Sequence, residues 1–227
     1  MGNFPEFDVD LVMFDLDGTL LDTAGELTDA VNDTLTELGH RPVTEAQVRD
    51  WIGNGTRELL VSALAEATGL PRETLRGSPV LTQAASVFDP CYEKRCGTRS
   101  QAYPHALDLL HQLRARGTQL AVVTNKDSRF THRLLAHHQL ALLLDLVVCG
   151  DSVARKKPAP DGILLCLSQC RVTLARALFV GDSAIDVASA RNAGVMVWAV
   201  PGGYNQGLPI ADSAPDRLLR DLGQMLV

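Results

Sequence analysis

Residues 9–23 read VDLVMFDLDGTLLDT, a stretch that joins an apolar run to an acidic motif. Its first six residues form a short apolar run rich in β-forming side chains, which predicts a buried strand. Asp15 and Asp17 follow at the carboxyl end of that strand, where open α/β sheets form their ligand crevice. Gly18 also suits an ordinary turn, so this stretch alone leaves a plain strand-to-loop connection open.

Four more apolar runs of strand length occur later in the chain, and helical patterns separate them. They are QLAVVT (119–124), DLVVC (145–149), ALFVG (177–181) and VMVWAV (195–200). Strands that alternate with helices predict a mostly parallel sheet covered on both faces. The expected fold class is therefore α/β, with a Rossmann-like parallel sheet as its core.

The segment between the first and second of these strands has no clear strand and carries apolar residues at helical spacing. Three helices are predicted there, and a fourth spans about residues 81–92, where Pro90 should kink or end it. We expect a core made of residues 1–22 and 101–227, with a helical domain, residues 23–100, inserted after the first strand.

Composition narrows the class of protein. The 227 residues are 46% hydrophobic and 21% charged, which is typical of a globular chain. The net charge of −6 gives no general attraction for nucleic acid or an anionic membrane. Because the sequence shows neither a membrane-length apolar run nor an export signal, we expect a cytoplasmic protein. The five cysteines include no Cys-x-x-Cys pair and are expected to be reduced.

A second acidic motif, FVGDSAIDVASA, follows the strand at 177–181. Asp182 ends that strand and Asp186 lies one helical turn later. Together with the first motif, it would bring four carboxylates to one crevice, where they would repel each other unless compensated. Mg²⁺ prefers such oxygen ligands, so a divalent cation is the simplest compensation. Alternatively, Asp182 could be a helix N-cap and Asp186 a first-turn carboxylate.

Two further pieces can supply phosphate chemistry. Thr124 and Asn125 leave the second strand, and a hydroxyl and a backbone N–H at that place can hold phosphoryl oxygens. Lys156 and Lys157 precede Pro158, and a lysine near the same crevice can neutralise charge. By itself, a lysine pair before proline is more often a solvated loop.

In this order, the four pieces resemble the haloacid dehalogenase-like hydrolase superfamily of aspartate-nucleophile phosphatases. Its signature has Asp-x-Asp-Gly-Thr, a Thr or Ser after the second strand, a Lys before Pro, and Gly-Asp-x-x-x-Asp. This sequence has every element, at 15–19, 124, 157 and 181–186. The match covers nearly the whole chain, and the helical insert resembles the cap domain of one subgroup.

The resemblance implies a role for each acidic residue. Asp15 would be the nucleophile that accepts the phosphoryl group, giving an aspartyl-phosphate intermediate. Asp17 would protonate the leaving alcohol and later activate water. Mg²⁺ would be held by the side chains of Asp15 and Asp182 and the backbone carbonyl of Asp17, with Asp186 as a ligand or supporting residue.

The resemblance also implies which residues hold the phosphate. Thr124, Asn125 and the backbone at Gly18 would bind its oxygens. Lys157, in the KPAP unit, would stabilise charge as a catalytic residue, and Lys156 lies one residue outside that unit.

Three local strings are similar to the phosphoglycolate phosphatase branch of the superfamily: WIGNGTRELL (51–60), GDSVARKKPAP (150–160) and GGYNQGLPI (202–210). They imply that the partner is a small phosphorylated metabolite, 2-phosphoglycolate. In the first string, a helix beginning near Thr56 offers free N–H groups to an anion such as its carboxylate. Arg57 could add a charge, although it could also be an exposed helix residue.

The sequence also leaves other classes of protein open. Another capped phosphatase, or a phosphosugar mutase on the same core, would differ in the cap. A dehalogenase needs no second acid or metal, so Asp17 and the pair Asp182 and Asp186 argue against it. A phospho-accepting receiver module should lack the insert, and an inactive scaffold should lack one of the motifs. For the assembly we expect a monomer or a homodimer.

Overall fold

Residues 9–226 are described by a computed structural model, and they form an α/β fold. The strands are β1 (Leu11–Phe14), β2 (Leu21–Asp22), β3 (Gln101–Ala102), β4 (Gln119–Val123), β5 (Leu146–Val148), β6 (Ala177–Gly181), β7 (Met196–Ala199) and β8 (Arg217–Leu218). The α-helices are α1 (Ala24–Glu37), α2 (Glu45–Trp51), α3 (Thr56–Thr68), α4 (Arg72–Leu75), α5 (Pro79–Arg95), α6 (Ala106–Ala115), α7 (Ser128–His137), α8 (Asp161–Cys170) and α9 (Ala184–Ala193).

Six strands form one parallel sheet in the order β5-β4-β1-β6-β7-β8. β1 lies in the middle, with Leu11 opposite Gln119 of β4 on one side and Ala177 of β6 on the other. The chain extends the sheet first on the β4 side and later on the β6 side. This reversal beside β1 creates a crevice at the carboxyl ends of the strands, which is where α/β sheets bind ligands.

Both faces of the sheet are buried, and β1 contributes to both because its alternate side chains point to opposite sides. Val12 and Phe14 join the larger apolar cluster, which continues into the helical insert. Leu11 and Met13 join a second cluster against α8 and α9. The observed parallel sheet, with helices on both faces and a helical insert after β1, confirms the predicted fold class.

The insert consists of α1 to α5, and a two-stranded antiparallel sheet marks its entry and exit. In that sheet β2 pairs with β3, so that Leu21 lies opposite Ala102. Thr44 begins α2 with the predicted capping box to Gln47. The limits of the two domains stay a prediction.

The fourth predicted helix is longer than expected. We expected Pro90 to kink or end a helix over about 81–92, but α5 continues to Arg95. Pro90 is exposed, and so is Ser86, whose carbonyl loses its helical partner to the proline. On the opposite face Phe88 and Tyr92 are buried, and their packing holds the last turn in place.

All five cysteines are free thiols, four of them buried. Among residues 9–226, no helix is both long enough and apolar enough to cross a membrane.

Candidate active site

Three carboxylates meet at the carboxyl edge of the sheet. Asp15 directly follows β1, and Asp182 directly follows β6, its parallel neighbour. Asp186 in the first turn of α9 joins them, and one oxygen from each lies within 4.8 Å of the others. All three residues are buried. The sheet therefore brings together residues that are 171 positions apart, Asp15 and Asp186.

Lys157 provides a positive charge inside this cluster. Its Nζ lies 2.8 Å from Asp15 Oδ1 and 2.7 Å from Asp186 Oδ1, and its side chain is only 3% exposed. Burial alone would lower the pKa of Lys157, but the charges of Asp15 and Asp186 raise it above its ordinary value. The ammonium group therefore stays charged.

The carboxylates compete for that single cation. Burial, with a smaller contribution from Asp186, outweighs the attraction of Lys157 and raises the pKa of Asp15 to about 7. Burial and the neighbouring charges of Asp186 and Asp15 also raise the pKa of Asp182. Without another cation, the cluster therefore holds its negative charges at a cost in free energy.

The cluster fits a divalent metal ion. Within the described part of the chain, Asp15 Oδ1 is buried and has its ionic contact to Lys157 but no well-aligned hydrogen bond. Each oxygen of Asp182 accepts one hydrogen bond, from the Thr19 hydroxyl and from the Tyr204 backbone N–H, both at 2.6 Å. A carboxylate oxygen can accept two, so lone pairs remain for a hard cation.

Asp186 is held more completely than the other two. Its Oδ2 accepts from the backbone N–H groups of Asp182 and Ser183 and from the Ser183 hydroxyl, and its Oδ1 accepts from Lys157. Ser183, rather than Asp182, is the N-cap of α9, with Asp186 completing a capping box. The alternative in which Asp182 caps the helix is therefore wrong, because its carboxylate points into the cluster.

Asp17 does not join the other carboxylates, although it lies only two residues beyond Asp15. Both of its oxygens lie 3.1 Å from the Nζ of Lys126, and Oδ1 also accepts from the Thr23 hydroxyl at 2.7 Å. Gly18 follows with φ +95°, and a Cβ there would collide with the Asp182 carboxylate. The backbone can make this turn beside the cluster because residue 18 is glycine.

Thr124 and Asn125 follow β4 at the same edge, and both are buried. The Asn125 amide accepts from the Lys157 backbone N–H at 2.8 Å and donates to the Lys157 carbonyl at 3.0 Å. It also donates to the carbonyl of Gly53 in the insert at 2.9 Å. Its side chain therefore anchors the Lys157 loop and ties the core to the insert, while Thr124 lines the cavity above Asp15.

Lys126 is a site residue that the sequence analysis missed. Its side chain is 5% exposed, and its Nζ lies 4.9 Å from the centre of the Tyr92 ring. A lysine shortly after a strand is usually exposed. Tyr92 packs against Lys126 from α5 in the insert, and no local sequence signal predicts that contact.

Tyr204 is a second missed residue, from the string GGYNQGLPI. It is buried, and its hydroxyl donates to Asp22 at 2.6 Å while accepting from the backbone N–H groups of Thr23 and Ala24. Its own backbone N–H bonds Asp182. Tyr204 therefore links the acidic cluster to the point where the chain enters the insert.

A cavity lies between the sheet edge and the insert. Its lining residues are Asp15, Asp17, Leu27, Ile52, Gly53, Gly55, Thr56, Leu59, Tyr92, Thr124, Asn125 and Lys126. The start of α3 reaches this cavity as expected, through Gly55 and Thr56. Arg57 is exposed and is not one of the lining residues, so its role in substrate binding stays a prediction.

Comparisons with known proteins match nearly the whole chain. A family model described as haloacid dehalogenase-like hydrolase matches residues 12–200. A phosphoglycolate phosphatase of Vibrio cholerae is 38% identical over 219 residues, covering 96% of this chain and 96% of that protein. A crystal structure described as a predicted phosphoglycolate phosphatase from Haemophilus somnus has a TM-score of 0.90 and 30% identity, covering 97% of this chain and 98% of that one. CbbY from Rhodobacter sphaeroides, solved with phosphate, has a TM-score of 0.80 and 25% identity, covering 96% of each chain.

Proposed function

The chain belongs to the haloacid dehalogenase-like hydrolase family and is a phosphatase, and on that premise we propose that it hydrolyses 2-phosphoglycolate to glycolate and phosphate. The phosphatase chemistry is supported most strongly by a buried cluster beside the cavity between the sheet edge and the insert. The cluster consists of Asp15, Asp182, Asp186 and Lys157. The choice of 2-phosphoglycolate is supported by the relative in Vibrio cholerae, which carries that activity in its name.

Asp15 is the nucleophile in this proposal. It lies at the cavity surface, where one carboxylate oxygen can attack the phosphorus atom of a bound ester. The bond between phosphorus and the ester oxygen breaks, and the leaving oxygen takes a proton from Asp17, which enters the cycle as the carboxylic acid after taking that proton from solvent. Asp17 then removes a proton from water, which attacks the aspartyl phosphate and releases inorganic phosphate, so that both side chains return to their starting state.

Lys157 and the residues after β4 hold the transferring group. The Lys157 ammonium lies against Asp15 and lowers the repulsion between that carboxylate and an incoming phosphate. Thr124 and the backbone N–H of Asn125 are the proposed donors to the phosphate oxygens, whereas the backbone N–H expected from Gly18 already donates to the Leu21 carbonyl at 2.9 Å. The side-chain amide of Asn125 is already used to position Lys157, so it contributes by placement.

The metal ion in this proposal is Mg²⁺. Asp15 and Asp182 would hold it with their carboxylates and Asp17 with its backbone carbonyl, and Asp186 would support them from its bonds to Lys157 and Ser183. When bound, Mg²⁺ neutralises charge on the phosphate and the carboxylates. Residues 23–100 serve as a cap that excludes bulk water from the small cavity.

A substrate panel tests this function. Phosphate release is measured from 2-phosphoglycolate, phosphosugars, nucleoside monophosphates and p-nitrophenyl phosphate, with Mg²⁺ and with EDTA. We expect Mg²⁺-dependent release with the highest kcat/KM for 2-phosphoglycolate, and none from the Asp15→Asn variant. Asp108→Asn, at an exposed position of α6, is the matched control and keeps wild-type rates.

Each other outcome has a distinct meaning. A higher kcat/KM for another ester would overturn the substrate and leave the phosphatase chemistry intact. A phosphosugar returned with its phosphate relocated, and little free phosphate, would identify a mutase. Wild-type turnover by Asp15→Asn would refute the assignment of the nucleophile.

A further inference from the structure

Lys126 is the only cation among the residues that line the cavity in the described chain. We propose that the Lys126 ammonium binds the carboxylate of the substrate, and that this binding releases Asp17 from Lys126. The inference rests on the proposed function and assigns the residue that selects substrates with a carboxylate. The chemical class selected is a short phosphate monoester with a carboxylate close to the ester oxygen.

The environment of Lys126 is suited to an anionic ligand. Its side chain is 5% exposed, and the neighbouring cavity lining includes the apolar side chains of Leu27, Ile52 and Leu59. An ammonium group in such surroundings needs a negative partner, and an ion pair is stronger there than in water. The face of the Tyr92 ring, 4.9 Å away, adds a weaker attraction for the cation.

Asp17 is the negative partner of Lys126 in this structure. It places both oxygens 3.1 Å from Lys126 Nζ, which is the arrangement a ligand carboxylate could take over. The Thr23 hydroxyl adds a second restraint on Asp17 Oδ1. While these contacts persist, Asp17 is held away from the other three carboxylates, where the phosphoryl group is transferred.

A substrate carboxylate therefore competes with Asp17 for the same ammonium. Once the substrate carboxylate occupies Lys126, Asp17 keeps only its Thr23 contact, takes from solvent the proton that it donates, and can turn toward the leaving oxygen. An ester without a carboxylate leaves the pair of Lys126 and Asp17 intact. The carboxylate should consequently raise kcat as well as lower KM, since it frees the proposed proton donor.

Other positive groups near the cavity fit this role less well. Lys157 is paired with two carboxylates, Asp15 and Asp186, and is not one of the lining residues, and Arg57 is exposed and also outside the cavity lining. The first turn of α3 contributes Gly55 and Thr56 to the lining, and its backbone N–H groups can add hydrogen bonds to the same carboxylate. Lys126 supplies the full charge that these dipoles lack.

The test uses two non-hydrolysable probes that differ only in the carboxylate. 3-Phosphonopropionate replaces the ester oxygen of 2-phosphoglycolate with a methylene group, and propylphosphonate lacks its carboxylate. Calorimetry with the Mg²⁺-loaded protein gives a Kd for each. We expect wild type to bind 3-phosphonopropionate about tenfold more tightly, because the ion pair that it forms with Lys126 is partly offset by the one that Asp17 gives up. Lys126→Met should reduce that ratio to about threefold or less.

Two further variants separate charge from structure. Lys94→Met makes the same change at an exposed position of α5 and should keep the wild-type ratio. Lys126→Arg retains the charge and should recover part of the wild-type ratio of the two Kd values. If Lys126→Met keeps the full ratio, or wild type binds both probes equally, the inference is wrong.

Kinetics distinguish this inference from the proposed function. In wild type, kcat for 2-phosphoglycolate should exceed kcat for ethyl phosphate by at least about tenfold, and Lys126→Met should remove that difference. An equal kcat for both esters in wild type would overturn the release of Asp17. If wild type hydrolyses ethyl phosphate and not 2-phosphoglycolate, the proposed function fails instead.

Discussion

Asp15→Asn should remove activity and also stabilise the metal-free protein. The reason lies in the three buried carboxylates that share Lys157. Asparagine has nearly the same shape as aspartate and carries no charge, so it relieves repulsion without opening a cavity. Lys157 keeps its bond to Asp186 in the variant. A gain in stability at the cost of function is expected where like charges are held for catalysis.

The structure gives the size of this effect. Burial, with the charge of Asp186, raises the pKa of Asp15 from 3.8 to about 7 despite Lys157. At about 1.4 kcal/mol per pH unit, that difference corresponds to about 4 kcal/mol of unfavourable free energy when Asp15 is ionised in the folded protein. Since Lys157 loses one partner in the variant, this figure is an upper limit, and we expect a gain of about 2–4 kcal/mol near pH 8.

The sign of the pH dependence follows from linkage. Between the unfolded pKa of 3.8 and the folded value of about 7, the folded state binds the proton more readily. Below the unfolded pKa, Asp15 is protonated in both states and the folded protein keeps its full stability. That stability falls as the pH rises, and the loss is complete once the pH has passed about 7. The advantage of Asp15→Asn should be greatest near pH 8 and less than half as large near pH 5.

Urea unfolding in EDTA at both pH values measures these differences, with Asp108→Asn as the exposed control. Adding Mg²⁺ should stabilise wild type near pH 8 and reduce the advantage of Asp15→Asn. A variant that is no more stable than wild type near pH 8, or equally stabilised at both pH values, would refute this reasoning.

Three further predictions concern neighbouring residues. Asp182→Asn should weaken Mg²⁺ binding by at least about tenfold in calorimetry, because the cluster loses a charged ligand; an unchanged affinity would exclude it as a ligand. Asn125→Ala should cost about 1–3 kcal/mol in urea unfolding and lower kcat/KM, since the Lys157 loop and Gly53 lose their anchor. The exposed control Asn54→Ala should change stability by less than about 0.5 kcal/mol, and equal effects would contradict the anchoring role. Gly18→Ala should destabilise by at least about 2 kcal/mol more than Gly39→Ala in the same assay, because both have positive φ but only the first collides with a carboxylate; equal costs would rule that collision out.

The sequence predicts the part of the site that strand ends determine. Asp15, Thr124 and Asp182 each follow an apolar run, and parallel strands bring such residues to one edge of the sheet. Lys157 lies where the Lys-Pro motif implies, against Asp15. These positions depend on local patterns that the chain displays without any knowledge of long-range packing.

The contacts between core and insert could not be predicted in this way. Lys126 packs against Tyr92 of the insert, and the Tyr204 hydroxyl, on a loop after β7, accepts from the backbone N–H of Thr23. The separation of Asp17 from the other carboxylates depends on Lys126. Pro90 remains inside α5 because tertiary packing on one face outweighs a lost hydrogen bond on the other.

The proposed function requires that Asp15 becomes phosphorylated and that Asp17 helps to hydrolyse the aspartyl phosphate. The most direct test is the mass of Asp17→Asn protein mixed with p-nitrophenyl phosphate and Mg²⁺. This ester has a good leaving group that needs no protonation, so Asp15 can still be phosphorylated while water attack is slow. We predict an increase of about 80 Da, for one phosphoryl group, on the peptide containing Asp15, and none when Asp15→Asn is added. The absence of this adduct, or an adduct on another residue, would contradict the account.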